Sequence, residues 1–406
     1  MRKKCVMLSN YVVKDRDAGA KAPKDVNAVF EQNFGKIYML YHINRRYIRN
    51  ILSWLNMHRL KNAFRDEYMF VQWPLYLWSP VTVEDILTIK SKKKVVLIHD
   101  IDSFRKYPDS TEKRKEEIQR LNKFDVVIAH NRKMITWLKE NGLKKPCVSL
   151  ELFDYLAETK PSQKKNIGED NNYTICFAGN LIKSRFMQSI SQYIHSPINI
   201  YGNKPDYILN GENLCYQGSY SPTALCEAMN GDFGLIWDGG SCEECSGNDG
   251  QYMKINNPHK LSLYISCGLP IITWKEAAIA EFIEKNGIGF AVNSLAEIDD
   301  VLGNMTRKEY EKYRNNVLEI TRDVRKGEYV IKDVAKEIFP IPSGFKILDT
   351  YGNVINGNKN ADIESITFII KLIFNDFLVF CISISSNLFA LLLLNRAPPL
   401  KWKSLL

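Results

Sequence analysis

A lysine lies at the predicted start of a helix in the segment Asn256–Lys260 (NNPHK). Pro258 falls in the predicted first turn, Leu261–Ile265 supplies an apolar body, and Gly268 follows the expected end. A helix N-terminus presents free amide N–H groups and the positive end of the helix dipole, which suits a phosphate. A cation there opposes the dipole, and a bound pyrophosphate would explain it. We therefore predict that Lys260 binds phosphate; the alternative is an ordinary solvated lysine.

A second polar group, His99, Asp100 and Asp102 (HDID), directly follows the apolar run Lys94–Ile98. Open parallel sheets bind ligands at the carboxyl ends of their strands. A single aspartate at such a place is often only a helix cap. Two acids and a histidine together favour a functional interpretation.

The elements that must position these residues alternate along the chain. Apolar runs that predict strands occur at 5–8, 68–73, 94–98, 125–129, 173–177, 198–201, 232–237 and 270–274, with helix-like stretches after most of them. Near-continuous apolar runs bounded by polar loops indicate parallel strands that are buried on both faces. Alternation with helices indicates βαβ units. The sequence therefore predicts an α/β fold of two doubly wound lobes, with a cleft between them in which a small molecule binds.

A polar, lysine-rich stretch separates the two series of strands. We place a first lobe at residues 1–157, a linker at 158–172, a second lobe at 173–339 and a tail at 340–406. Within the tail, the run 377–394 carries no charge and is a marginal candidate for a membrane span, since a bilayer core needs about 20 mostly apolar residues. The alternative is that this tail is not native to the protein.

Composition narrows the class of protein. The chain has 406 residues, 45% hydrophobic and 25% charged, which excludes collagen-like, coiled-coil and largely disordered proteins. Its net charge of +9 suits an anionic partner but decides nothing alone. Nine scattered cysteines in a long chain indicate a reducing compartment rather than a disulfide framework. The lone Cys242–Cys245 (CEEC) motif is more typical of structural thiols than of a metal site.

The location of the protein follows from similar arguments. The apolar stretch after Met1–Lys4 is too short for an export signal, so we expect a cytoplasmic protein. The basic, aromatic stretch Arg45–Arg49, with Trp54 and Arg59 beyond it, would suit an anionic membrane surface. Ordinary exposed helix charge explains it equally well.

Several segments together resemble one family of enzymes. They are the HDID segment, GLIWDG (234–239) with its following Cys245–Gly247, NNPHK with Ser262–Tyr264, AAIAEFI (277–283), RDAGAKA (16–22) and LFDYL (152–156). In these segments the chain is similar to bacterial β-1,6-galactofuranosyltransferases of O-antigen assembly, within a wider group that includes glucosyltransferases acting on serine-rich adhesins. The resemblance covers roughly residues 6–338.

This resemblance implies a GT-B glycosyltransferase with two Rossmann-like lobes. The second lobe would hold the donor and the first lobe the acceptor. The implied donor is a UDP-sugar, with UDP-galactofuranose favoured, and the implied acceptor is a lipid-linked saccharide at the inner face of the cytoplasmic membrane.

Donor-binding candidates then follow from the residues of the second lobe. Gly179 and Asn180 follow a strand and would let the backbone approach a diphosphate, which Lys183 or Arg185 could neutralise. The remaining candidates are Asp238 for a sugar hydroxyl, Glu281 for the ribose, and Asn257, His259 and Lys260 of the NNPHK block. The alternatives are an ordinary turn, a cap and an exposed helical glutamate. The turn Tyr201–Asn203 could border the uracil, but a plain turn is favoured there.

Candidates for the chemistry lie in the first lobe. An inverting transfer needs a base for the acceptor hydroxyl, and we predict Asp100, Asp102 or Asp17, in that order. Gly19 and His99 are the predicted acceptor-binding residues.

The pair Asp100 and Asp102 is formally an Asp-x-Asp motif, which binds a divalent metal in the other large glycosyltransferase fold. That fold uses one compact domain, whereas this chain has two strand–helix series, so we expect no metal and no other cofactor. A homo-oligomer is compatible with the sequence.

Three alternatives compete with a galactofuranosyltransferase. One is a glucosyltransferase acting on glycopeptide, and another is a non-catalytic pair of lobes that stabilises a partner enzyme. A nucleic-acid-binding protein is the weakest of the three, since no recognised motif is present.

Overall fold

A computed structural model describes residues 5–9, 20–39, most of 55–76, 82–157 and 172–330 of the chain. Residues 1–338 form one compact unit. Residues 339–406 form a second unit, of which the structure describes two short antiparallel strands, Ile347–Leu348 and Val354–Ile355.

The first lobe is built on a six-stranded parallel sheet. Its strands are β1 (Cys5–Ser9), β2 (Gly35–Met39), β3 (Tyr68–Trp73), β4 (Lys93–Ile98), β5 (Val126–Ala129) and β6 (Cys147–Ser149). They lie in the order β2-β1-β3-β4-β5-β6 and every neighbouring pair is parallel. The central strands β3, β4 and β5 are buried along most of their length, as is typical of parallel strands whose two faces are both covered.

Five helices of this lobe are described along their full length. They are Lys21–Asn33, Val83–Leu87, Asp102–Arg105, Thr111–Leu121 and Arg132–Glu140. Two of these helices begin at a capping residue. The Ser110 and Asn131 side chains each accept a hydrogen bond from a backbone N–H of the first turn. Such caps fix where the chain leaves each strand and enters the next helix.

The second lobe repeats the plan. Its strands are β7 (Ile175–Ala178), β8 (Ile198–Tyr201), β9 (Leu214–Gly218), β10 (Phe233–Ile236), β11 (Ile271–Trp274) and β12 (Gly289–Val292). Their order, β12-β11-β10-β7-β8-β9, is the 3-2-1-4-5-6 order of Rossmann dinucleotide-binding folds. The strand order reverses between β7 and β10, and a crevice opens beyond their carboxyl ends.

The helices of the second lobe vary in length. The α-helices are Pro222–Ala228, Gly247–Tyr252, His259–Ser266, Ala280–Asn286, Ile298–Asn304 and Arg307–Lys326, and the 3-10 turns are Arg185–Gln188, Ile190–Gln192 and Leu295–Glu297. The two Rossmann-like lobes predicted from the sequence are therefore confirmed.

The hydrophobic cores of the two lobes exchange residues. Leu152 and Tyr155, which follow the first sheet, pack in the core of the second lobe. Tyr252 and Ile255, which come from the second lobe, pack in the core of the first. Each lobe therefore completes the other's core beside the cleft.

The predicted linker lies outside the described residues except for Asn172, and the exact lobe boundaries stay predictions. The apolar run 377–394 and the basic stretch Arg45–Arg49 also lie outside them. Among the residues described, no helix has the length and apolar character to cross a membrane.

Candidate active site

A cavity of about 600 Å³ opens between the lobes at the carboxyl ends of β4, β7 and β10. Nine residues predicted from the sequence line it: His99, Asp100, Gly179, Asn180, Lys183, Asp238, Asn257, His259 and Lys260. They come from segments up to 161 positions apart (His99 to Lys260), and both lobes contribute. The fold therefore brings most of the predicted site together.

Lys260 occupies the first turn of the helix His259–Ser266, whose N-cap is Pro258 in an extended conformation. The helix ends near Gly268, whose φ of +74° is the left-handed conformation that glycine tolerates best. The structure therefore has the predicted helix with Lys260 in its first turn, but Pro258, predicted in that turn, precedes the helix as its N-cap.

The ammonium group of Lys260 is held by two acceptors of the loop that follows β10. Nζ lies 2.9 Å from Asp238 Oδ1 and 3.3 Å from the carbonyl oxygen of Trp237. It also lies 4.8 Å from the centre of the Phe177 ring, close enough for a cation–π interaction. Lys260 is therefore fixed at the point where the strand order of the second sheet reverses.

Gly179 leaves room for that lysine. A Cβ atom at this position would lie 3.1 Å from Lys260 Cε and 3.4 Å from Nζ. Because Gly179 directly follows β7, its missing side chain lets the lysine head approach the backbone of the turn. The approach of a diphosphate to this turn stays a prediction.

Asp100 is paired rather than isolated. The Arg105 guanidinium donates to Asp100 from Nη1 and, from Nε, to Asp249 Oδ1 at 3.0 Å. The Tyr252 hydroxyl accepts a hydrogen bond from the Ile101 amide at 2.9 Å beside this group. Arg105, Asp249 and Tyr252 all line the cavity, and sequence reasoning missed them because the partners stand about 150 positions apart.

Three further predicted residues do not line the cavity. Asp102 begins a short helix and binds the Tyr76 hydroxyl at 3.0 Å and Lys106 Nζ at 2.9 Å. Arg185 pairs with Asp206 at 3.0 Å on the surface. Glu281 is exposed in the first turn of Ala280–Asn286. The structure therefore separates these three from the Lys260 group, whereas Asp17 and Gly19 lie outside the described residues.

The predicted ligand-binding residues Asn257 and His259 contact the first lobe. Asn257 Nδ2 donates to the carbonyl oxygens of His130 at 2.8 Å and Glu151 at 2.7 Å, and its Oδ1 accepts from Asn131 at 2.7 Å. His259 Nε2 donates to the carbonyl oxygen of Asp154 at 3.1 Å. These hydrogen bonds of Asn257 and His259 therefore join the second lobe to the first.

His130 completes this junction with both ring nitrogens. Nε2 donates to the carbonyl oxygen of Ile98 at 3.1 Å, so Nδ1 is free to accept from the Asn257 amide at 2.9 Å. Only the neutral ring can do both. Burial lowers the pKa of His130 to about 4, and burial likewise lowers the pKa of His259 to about 4. Both histidines therefore stay neutral near pH 7.

Comparisons with known proteins agree with this geometry. The chain matches the N-terminal domain of the glucosyltransferase 3-like family over residues 4–152 and the C-terminal domain over residues 175–338. It is 35% identical to the β-1,6-galactofuranosyltransferase WbbI of Escherichia coli over 253 residues, which are 60% of this chain and 70% of that protein. It is 27% identical to glucosyltransferase 3 of Streptococcus gordonii, over 61% of this chain and 69% of that protein.

The fold has solved counterparts. Sucrose-phosphate synthase from Thermosynechococcus elongatus superposes with a TM-score of 0.54 and 10% identity, over 83% of this chain and 99% of that one. At such identity the similarity concerns the fold alone, and it supports the GT-B architecture. The two-lobed fold and the matched domains show that the chain belongs to the glucosyltransferase 3-like family and is a glycosyltransferase.

Proposed function

We propose that the chain transfers a sugar from a UDP-sugar, bound mainly by the second lobe, to a hydroxyl of an acceptor bound mainly by the first. One observation carries the proposal: Lys260 lies in the first turn of a helix that lines the interlobe cavity, directly opposite the glycine turn after β7. Free amides, a helix dipole and a cation at one point favour a diphosphate.

The leaving group is UDP in this proposal. Lys260 and Lys183, which both line the cavity, neutralise the charge that grows on the diphosphate as the glycosidic bond breaks. When Lys260 binds the diphosphate, the Asp238 carboxylate loses its contact with Lys260 and accepts a hydrogen bond from a hydroxyl of the donor sugar. Because side-chain cations do this work, we propose that the reaction needs no metal ion and no other cofactor.

The acceptor hydroxyl needs a base if the transfer inverts the anomeric centre. We propose Asp100, which lines the cavity directly after β4 and is followed by a short helix that ends at Arg105. Asp17, the third candidate in the sequence-based order, becomes the second. Asp102 becomes the weakest of the three because it does not line the cavity, and its carboxylate contacts the Tyr76 hydroxyl and Lys106.

For the donor sugar we propose galactofuranose, supported by the name of the more similar relative. The acceptor would be a lipid-linked saccharide of cell-surface polysaccharide synthesis, used by an enzyme at the inner face of the cytoplasmic membrane. The second relative is named a glucosyltransferase, so transfer of glucose from UDP-glucose onto a glycopeptide is the alternative.

Ligand-dependent thermal stability tests the proposal. The full chain is heated with UDP, UDP-galactofuranose, UDP-galactopyranose or UDP-glucose, each with EDTA. A ligand at 100 times its dissociation constant should add about 2.7 kcal/mol to the free energy of unfolding.

Stabilisation by UDP in EDTA supports a metal-independent donor site, and the order of the sugars identifies the donor. Stabilisation by none of them would favour the non-catalytic, partner-stabilising alternative. Stabilisation that EDTA abolishes would contradict the metal-independent mechanism.

A further inference from the structure

One carboxylate in the cavity lies between two cations from different lobes. Asp249 Oδ1 accepts from Arg105 Nε at 3.0 Å, and Asp249 Oδ2 lies 3.8 Å from Lys183 Nζ. Arg105 ends the helix Asp102–Arg105 of the first lobe, whereas Lys183 follows β7 in the second. All three line the cavity.

This arrangement is an anion site filled by the protein's own carboxylate. The two oxygens of Asp249 each face one cation, as two oxygens of a phosphate would. Every cation among the described residues of the lining is paired in this way, since Lys260 has Asp238 and Lys21 has Asp25. A diphosphate that enters the cavity must therefore replace at least one carboxylate as the partner of these cations.

We propose that Arg105, from the first lobe, is a ligand of the diphosphate. In the free protein the Asp249 carboxylate occupies the position of a phosphate group, and the diphosphate displaces it on binding. This inference rests on the proposed function for its choice of ligand. A guanidinium offers five N–H donors in a planar fork that suits phosphate oxygens, and a phosphate carries more negative charge than the carboxylate it replaces. Arg105 can keep its contact with Asp100 from Nη1 while a phosphate oxygen replaces Asp249 as the acceptor of the Nε hydrogen bond.

The proposal predicts opposite effects for two neighbouring charges. Replacing Asp249 by asparagine removes a competing anion, so UDP should bind more tightly, by about threefold or more. Replacing Arg105 by glutamine removes a charge-assisted contact, so UDP should bind more weakly, by about tenfold or more. A residue with only a structural role would not tighten UDP binding when it is replaced.

The experiment measures the dissociation constant of UDP by calorimetric titration of the full chain and of the variants Asp249→Asn, Arg105→Gln and Arg105→Lys. Arg322→Gln and Asp323→Asn are matched controls, because that pair lies 3.1 Å apart on the exposed side of the helix Arg307–Lys326. Arg105 and Asp249 are about one-third exposed, at 34% and 38%, so their variants should fold. Arg105→Lys, which keeps the charge, should bind UDP more tightly than Arg105→Gln does.

A diphosphate reaches this cavity either on the donor or on a lipid-linked acceptor, so a second titration uses farnesyl diphosphate, a short polyprenyl diphosphate. If UDP binds more tightly to Asp249→Asn and more weakly to Arg105→Gln, the diphosphate that Arg105 binds is that of the donor. If only farnesyl diphosphate shows these two changes, it is that of the acceptor. Unchanged binding of both ligands in Asp249→Asn and Arg105→Gln, or UDP binding that Asp249→Asn weakens, would overturn the inference.

The two proposals fail in different ways. If the unmodified chain binds UDP but both variants match the controls, the role of Arg105 is wrong and the proposed function stands. If the unmodified chain binds no UDP, the proposed function is wrong, and farnesyl diphosphate still tests the anion site.

Discussion

Lys260 Nζ and Asp238 Oδ1 lie 2.9 Å apart in a partly buried ion pair that joins the start of one helix to the end of β10. The side chains are 17% and 28% exposed, so water screens their attraction only in part. A ligand that binds the Lys260 ammonium group in place of Asp238 must compensate for the loss of this ion pair. A diphosphate with more than one negative charge can do so, whereas a neutral sugar cannot.

Lys260→Ala should therefore lower UDP affinity and turnover by about two orders of magnitude, the effect of losing a strong charge-assisted contact to the leaving group. Titration with UDP and measurement of UDP release in the presence of acceptor test this expectation. Lys275→Ala is the matched control, because Lys275 is exposed just after β11 and does not line the cavity. Full turnover in a folded Lys260→Ala protein would refute the assignment of the phosphate site.

Gly179→Ala should weaken UDP binding with little loss of stability. The new methyl group would lie 3.1 Å from Lys260 Cε, so the lysine head must move by a few tenths of an ångström. Gly303→Ala is the control: no atom lies within 4 Å of its added Cβ, and alanine favours the helix Ile298–Asn304. Equal UDP affinity in both variants would show that the position of Lys260 does not matter for the ligand.

Asn257→Ala should destabilise the protein by about 2–3 kcal/mol, because it removes three hydrogen bonds between the lobes: two donated to the carbonyl oxygens of His130 and Glu151 and one accepted from Asn131. The free energy of unfolding in urea measures this loss. Asn304→Ala removes a comparable bond on the surface, from Nδ2 to the Asp300 carbonyl oxygen at 2.9 Å, and should cost much less. Equal losses in the two variants would contradict a special role for Asn257 between the lobes.

Lowering the pH from 6.5 towards 4 should lower the free energy of unfolding. Burial lowers the pKa of His130 and of His259 from 6.5 to about 4. In this interval the unfolded chain binds protons at these histidines that the folded chain does not, so acid favours unfolding. The pKa of His99 is also well below 6.5, mainly through burial, and acts in the same direction.

Two buried acids, Asp25 and Asp154, oppose this trend. Burial raises the pKa of Asp154 well above its usual range, so the folded chain binds a proton there more readily than the unfolded chain does. Burial raises the pKa of Asp25 to about 6 against the effect of Lys21, so the folded chain binds a proton there that the unfolded chain takes only near pH 3.8. Its contribution to stability therefore grows as pH falls through 6. Since the three histidines outnumber the two acids, a net loss of about 1.4 kcal/mol per pH unit is expected in urea unfolding between pH 6 and 4.5. His259→Gln should make this dependence shallower, and a flat profile in the unmodified chain would contradict the neutral histidines.

The strands that the sequence predicted are the eight central ones. Those it missed are the four edge strands of the two sheets, β2, β6, β9 and β12. A central parallel strand is apolar on both faces and forms an unbroken hydrophobic run, as Val126–Ala129 does. An edge strand such as Leu214–Gly218 is half exposed and carries polar residues, so its pattern resembles a loop.

The candidate site divides in a similar way. Lys260 and Gly179 could be predicted from the residues next to them, because Lys260 follows the start of a helix and Gly179 follows the end of a strand. Arg105 and Asp249 could not, since their relationship exists only after the lobes come together. Asn257 was placed correctly in the cavity wall, but the sequence gives no sign that its amide would bind the backbone of the other lobe.

Because each lobe contributes residues to the core of the other, a first lobe from one member of the family cannot simply be joined to a second lobe from another. Tyr252 and Ile255 belong to the second lobe by sequence but to the first by packing, and Leu152 and Tyr155 show the reverse. A chimera cut in the linker between 158 and 172 would pair each of these side chains with a foreign cavity. Domain shuffling within the family should therefore succeed only when residues 252–255 come from the parent that supplies the first lobe and residues 152–155 from the parent that supplies the second, which a single cut in the linker does not provide.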